Sequence, residues 1–306
     1  WRVDKLGGRH WLWTVWGEVE SPGFEQNEMG RLFAGDDIDV IWSLRYRENQ
    51  PGSRLYSYGL STHGKAGWNF GGTRQVTTFG GNVFLTWLNY LTTSLDLQLD
   101  TRALDDKLTR GGPLTRRPAG YSGRLGFNTD QRSDYKLGAA FSFSEDDAGG
   151  WSRRAEVRLA VRLLERIELE LEPNLSWSRT AAQYIQTKSD LSATMFGERY
   201  VFAPLRQTTL GMETKLMVAF NPRLTFELFA QPFISSGDYG GLMELAGPRT
   251  FEFLRYGEDV GTVSGDGDGG STVDPDGTGT NSFDVRTLDF NFRSLIGNAV
   301  LRWEWR

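Results

Sequence analysis

The residues with the most chemical potential are two charged sets close together in the chain. Arg154, Arg158 and Arg162 recur at even spacing, and Glu168, Glu170 and Glu172 follow on a second even run. If both runs are strands joined by a tight turn, guanidiniums and carboxylates share one face and meet as cross-strand pairs. Such a ladder either fills an interior with charge or sets the selectivity of an aqueous path, and the sequence leaves both open. A second set lies in the acidic, glycine-rich segment 258–279. There Asp266, Asp268, Asp274 and Asp276 offer hard oxygen donors of the kind that calcium takes. The segment lacks the spaced Asp series and closing bidentate Glu of an EF-hand loop, so it suits a solvated connection as well.

Other chemistry is thinly represented. His10 and His63 stand far apart, each near a strand end or a loop, where a polar side chain needs no catalytic reason. There is no cysteine, which removes disulfides, thiolate metal sites and a cysteine nucleophile. No Gly-x-Ser-x-Gly elbow occurs. The glycine-rich pieces lack the helix and Lys-Ser/Thr of a phosphate loop. The reading is therefore of a protein that is not an enzyme and uses no cofactor. With 34 Lys and Arg against 39 Asp and Glu, a net charge of -5, no general basic field invites nucleic acid.

The elements that must position these residues are strands. Ala155, Val157, Leu159, Val161 and Leu163 alternate with Arg154, Glu156, Arg158 and Arg162; Ile167, Leu169, Leu171, Leu175 and Trp177 alternate with Glu168, Glu170, Glu172, Asn174 and Ser176. A helix would scatter these sets, and a strand separates them completely. The same period predicts about twelve strands, near 9–19, 37–48, 54–64, 76–88, 91–101, 119–129, 134–144, 151–164, 167–179, 205–220, 224–236 and 289–305. Most exceed the ~9–11 residues that cross a bilayer as a tilted strand. No run approaches the ~20 apolar residues of a membrane helix.

Connections alternate in length. Short joints at 48–53, 89–90, 130–133, 165–166 and 221–223 are interleaved with longer ones at 20–36, 65–75, 102–118, 145–150, 180–204 and 237–288. Brief turns at one end and extended loops at the other are the pattern of an up-and-down membrane barrel. Facing parity further predicts three-residue turns at Leu164–Arg166, Leu88–Tyr90 and Asn221–Arg223, because a two-residue turn would flip one strand's side chains. Trp11, Trp13, Trp87, Tyr90, Trp151, Trp303 and Trp305 fall near strand ends, as aromatic girdles do.

Several longer stretches carry a family resemblance. Arg110-Gly111-Gly112-Pro113-Leu114-Thr115-Arg116-Arg117-Pro118-Ala119-Gly120, Ala148–Arg153, Glu198-Arg199-Tyr200-Val201-Phe202-Ala203, Phe229–Gly237, Phe253-Leu254-Arg255-Tyr256-Gly257 and Asp289–Glu304 together resemble the outer-membrane family called domain of unknown function 5916. The resemblance implies a barrel preceded by a domain similar to family-9 carbohydrate-binding modules, hence contact with saccharides. It also implies strands beyond Arg306, so this stretch is expected to be incomplete at both ends. No catalytic residues come with it. Trp1-Arg2-Val3-Asp4 is neither region of an export signal.

The expectation is an all-β, transmembrane, antiparallel up-and-down β-barrel of the bacterial outer membrane. Its partners would be the lipid bilayer, other envelope proteins and saccharides. Its role would be a pore, transport or surface-display barrel; the alternatives are a structural or anchoring subunit with a filled lumen and, furthest from the residues, an outer-membrane hydrolase.

Overall fold

The computed structural model describes residues 1–23, 35–164, 166–265 and 269–305. Among them the chain forms strands and no helix. The first six are β1 (Arg2–Lys5), β2 (Trp11–Glu20), β3 (Asp37–Glu48), β4 (Leu55–Trp68), β5 (Arg74–Trp87) and β6 (Thr92–Asp100). A short pair follows, β7 (Ala103–Asp105) and β8 (Thr115–Arg117). Then come β9 (Gly120–Asn128), β10 (Tyr135–Asp146), β11 (Trp151–Leu163), β12 (Ile167–Ser189), β13 (Glu198–Asn221) and β14 (Leu224–Tyr239). Five short strands, β15 (Met243–Leu245), β16 (Phe253–Arg255), β17 (Thr262–Gly265), β18 (Ser271–Asp274) and β19 (Phe283–Val285), precede β20 (Phe290–Trp303).

One sheet dominates, in the order β1-β2-β3-β4-β5-β6-β9-β10-β11-β12-β13-β14-β20. Every neighbour is antiparallel and, apart from two insertions, next in sequence. The expected strands are all present, and β1 joins them at one edge. β1 and β20 end the order, and among the described residues no pairing joins them. These strands alone therefore form an open sheet and not the closed barrel expected from the sequence.

Successive reversals place the connections on two rims. One rim gathers 6–10, 49–54, 88–91, 129–134, 164–166 and 222–223. The other carries the connection after β2, then 69–73, 101–119, 147–150, 190–197 and 240–289. The insertions all lie on this second rim, although two of its joints, 69–73 and 147–150, are themselves brief.

The tight turns follow facing parity. Leu163 stands opposite Ile167, and the Trp87 amide donates to the Leu91 carbonyl at 2.8 Å, so three residues reverse the chain in each case. Leu164 and Tyr90 take left-handed φ values of 53° and 61° inside these turns. The third turn differs from expectation. Asn221 pairs with Leu224 across Pro222 and Arg223 alone, and the register shifts between Ala219 and Asn221. The extra residue, Phe220, forms a bulge that restores the facing a two-residue turn would have inverted.

Two expected loops are largely built structure. Residues 180–189 and 198–204 are not loop; they extend β12 and β13 past Trp151 on β11 and Tyr239 on β14, as a two-stranded arm bulged after Thr180 and Tyr184. Within 237–288, β15 pairs with β13 of this arm and β16 pairs with β15, and β17, β18 and β19 form a small sheet. The chain therefore has two parts, a long single-layer wall and a cap on its second rim.

Candidate functional site

Pairing registers assign every wall residue to one of two faces. On the first, Leu99, Leu97 and Leu95 of β6 sit beside Tyr121, Gly123 and Leu125 of β9, which adjoin Glu145, Phe143 and Phe141 of β10. The face continues through Ala155, Leu159 and Val161 to Leu175, Leu171 and Leu169, and on to Leu210, Leu216 and Leu228. Among the described residues no second layer covers it. Leu99 is 60 % exposed, Leu125 59 %, Tyr135 63 % and Phe79 50 %. A water-exposed apolar surface of this extent is abnormal for a monomer, whose largest patch is ~300–600 Å2.

Aromatic side chains mark both ends of that face. At the short-turn rim Trp11 and Trp13 lie beside Tyr46, whose ring meets Trp11 edge-on at 5.1 Å. Trp87 and Trp303 end β5 and β20 at the same rim. At the other rim stand Trp151 and Trp177 with Arg153, whose guanidinium bonds Glu145, itself joined to the Tyr121 hydroxyl. From Trp151 to Leu163 is about 40 Å along β11 at ~3.3 Å per residue. A ~45° tilt reduces that to about 28 Å, close to the ~30 Å of a bilayer core.

The opposite face carries all six charged residues singled out in the sequence. Arg162 lies directly opposite Glu168, their closest atoms 3.5 Å apart, and Arg158 reaches Glu172 at 2.6 Å. Arg154 is opposite Ser176 and turns instead to Glu156 of its own strand, at 2.6 Å. Arg124 of β9 binds the other oxygen of Glu156, also at 2.6 Å. Glu170 looks toward β13, where Lys215 stands opposite at 4.0 Å and is held more closely by Glu213, at 2.6 Å. The ladder is thus wider than its sequence signature: Arg124, Glu156, Glu213 and Lys215 belong to it. Register between non-adjacent stretches was the missing signal for Arg124, which comes from β9. Most of these groups are a third or more exposed, so water screens them and each pair holds loosely.

The cap holds the one deeply buried charge cluster among the described residues. Arg199 on the arm is 11 % exposed; its Nε donates to Asp190 at 2.6 Å and its Nη1 to Glu244 at 2.9 Å. The Tyr256 hydroxyl donates to Glu244 at 2.7 Å, and the Ser192 hydroxyl to Asp190 at 2.6 Å. The Ser192 hydroxyl and then Arg199 hold the Asp190 carboxyl below its ordinary value. Burial opposes the charge on Arg199, but the two carboxylates outweigh it and keep the guanidinium protonated. Burial, aided by Glu244, pushes the Tyr256 phenol up. Each charge is nearly buried and has a partner, so this cluster acts as a structural lock.

Of the aspartates proposed for calcium, Asp274 and Asp276 lie side by side at one turn. Asp274 accepts the amides of Gly277 and Gly279, and Asp276 accepts from Thr278 and Asn281; both carboxylates shape a turn. Asp266 and Asp268 lie outside the described residues. No group of three or more His, Cys, Asp or Glu able to hold a metal occurs among those described. His10 stacks on Tyr46 at 5.3 Å, whereas His63 stands on the polar face with its ring over Gly80, so the two are not a pair.

A family model described as Domain of unknown function (DUF5916) matches residues 2–251. No curated protein and no solved structure matches the chain.

Proposed function

The chain belongs to the domain of unknown function 5916 family, and from that premise we propose that it forms most of the wall of a bacterial outer-membrane β-barrel acting as a pore or transport conduit. The apolar face meets lipid, the charged face lines the lumen, and further strands join β1 to β20. The single observation that carries this reading is the uncovered apolar face, bounded at both rims by aromatic and amphipathic side chains. Lipid is the one solvent in which that face costs nothing to expose, and antiparallel strands meet the bilayer's demand for paired backbone groups.

A surface-display role is favoured by one separate feature, the cap. It is a packed body on the rim of the insertions, and exposed rims of such barrels are where longer connections gather. The two roles are compatible. Reconstitution of the full-length protein in planar bilayers tests the first: discrete conductance steps are expected, and their absence at saturating incorporation overturns the conduit. Depth-dependent quenching of Trp11 and Trp177 fluorescence by brominated lipids tests membrane insertion itself, with no quenching as the refuting result.

A further inference from the structure

On the polar face an apolar column runs along β14 and β20. On β14 and β20 the same-face rungs run Gly237 opposite Phe290, Ser235 opposite Phe292 and Phe233 opposite Ser294. They continue with Gln231 opposite Ile296, Phe229 opposite Asn298 and Glu227 opposite Val300. Each rung holds one apolar side chain, and each sets beside it a glycine or a group that can hydrogen-bond. Elsewhere on this face the apolar residues do not form such a run: Trp16 lies opposite Ile41, and Leu12, Val76, Phe84 and Met217 each lie opposite a glycine or a polar residue. The Phe233 and Phe292 rings approach to 6.1 Å, and Phe290 lies over Gly237, so tightly that a Cβ there would touch the ring. Phe292 is 55 % exposed and Ile296 61 %.

We infer that this column is a track for a linear, neutral oligosaccharide. A pyranose ring has an apolar C–H face and a hydroxyl edge, and the rungs offer that pair of surfaces repeatedly. The column extends about 33 Å from Phe290 to Val300 at ~3.3 Å per residue, and it bears no charge between Phe290 and Asn298. An ionic solute finds no partner there. An apolar peptide segment would leave Ser294, Gln231 and Asn298 without hydrogen bonds, a costly arrangement once they are covered. At its lower end the column opens into a groove of about 390 Å3 where Glu170, Glu227, Lys215 and Asn298 surround Phe229. These groups can accept from and donate to sugar hydroxyls while the ring supplies the stacking surface.

The inference rests on the polar face being a lumen, and its test is kept separate from conductance. Detergent-solubilised full-length protein is titrated by calorimetry with maltohexaose, cellohexaose and chitohexaose. At least one is expected to bind. The double variant F233L/F292L keeps apolar volume but removes the flat rings, and it should weaken that binding roughly tenfold. F84A, on the same face but off the column, should leave it unchanged. Failure of all three sugars to bind, including because the protein's own chain covers the column, overturns the track; so does undiminished binding by F233L/F292L. A protein that binds sugar but does not conduct keeps the track and loses the pore, and one that conducts without binding does the reverse.

Discussion

The wall and the cap use the same strands under opposite rules. In the wall each strand has a polar and an apolar face, so sequence alternates and no side chain has to be deeply buried. In the arm that β13 sends into the cap, both faces are covered. Tyr200 and Phe202 pack with Ala182, Met195, Met243 and Leu245, while Val201 and Ala203 pack with Leu242, Val273, Phe283 and Val285. Phe202, Val201 and Ala203 are fully buried. The wall needs a surrounding solvent of low polarity to be stable; the cap carries its own core, each large side chain adding ~1.5–3 kcal/mol. One strand, β13, passes from one regime to the other near Leu205, where β14 ends its pairing.

The sharpest way to break that contrast is at Arg199. Replacing it with alanine leaves Asp190 and Glu244 buried without a counter-charge, a loss of about 3–5 kcal/mol. Hydrogen exchange should show amides of 195–203 and 242–245 opening while those of β9 to β11 keep their protection; uniform opening would mean that wall and cap are one cooperative unit. Next in size is Leu169→Arg, which puts a charge on the apolar face. It should cost about 2–4 kcal/mol in a bilayer refolding titration if the site lies near midplane. Glu170→Gln, one residue away on the other face, should cost far less, and equal losses would refute the facing assignment. Acid should separate the regions again. Asp190 is held below its ordinary value of 3.8, so its contribution is complete above that value and is lost as pH falls through the lower, folded one. Protease cleavage in 190–197 is expected to rise below pH 4, and D190N should flatten the curve. The smallest effect is Arg158→Gln, which removes a partly exposed pair with Glu172 worth about 0–1 kcal/mol. A refolding change outside that range would show that the ladder is drier than its exposure implies.

The wall was legible because alternation is a direct consequence of unlike faces. Leu159 and Arg158 cannot both be accommodated on one side of a strand, so their order in the sequence is their order in space. Parity even fixed the turn at Leu164, and at Phe220 it forecast the correct facing by the wrong device, since a bulge replaced the third turn residue. The cap was missed for the same reason inverted. A strand buried on both faces reads Tyr-Val-Phe-Ala without period, so 198–204 carries no alternation and reads as a loop. Arg110–Ala119, Glu198–Ala203 and Phe253–Gly257, among the stretches carrying the family resemblance, converge there: Arg110 lies over the Tyr184 ring at 4.5 Å, Gly112 against Tyr200, and Arg116 bonds Thr250. The charge ladder was half visible. Even spacing located Arg154 to Glu172, but cross-strand register set Ser176 opposite Arg154, which turns to Glu156 of its own strand, and Lys215 opposite Glu170.

The order of the sheet also bears on how it assembles. From β1 to β6, and again from β9 to β14, each strand pairs with the next in the chain, and hairpins joined by tight turns can close within microseconds. Two joints break this local rule, β6 with β9 and β14 with β20, and the second must bring together ends separated by residues 240–289. Loop closure grows only as the logarithm of length, ~0.6 kcal/mol per doubling, so the delay is modest if the intervening chain is free, and it shrinks further if β15 to β19 fold first and shorten the gap. The cap would then act as a splint in time as well as in space, setting when the Phe290 strand arrives at β14.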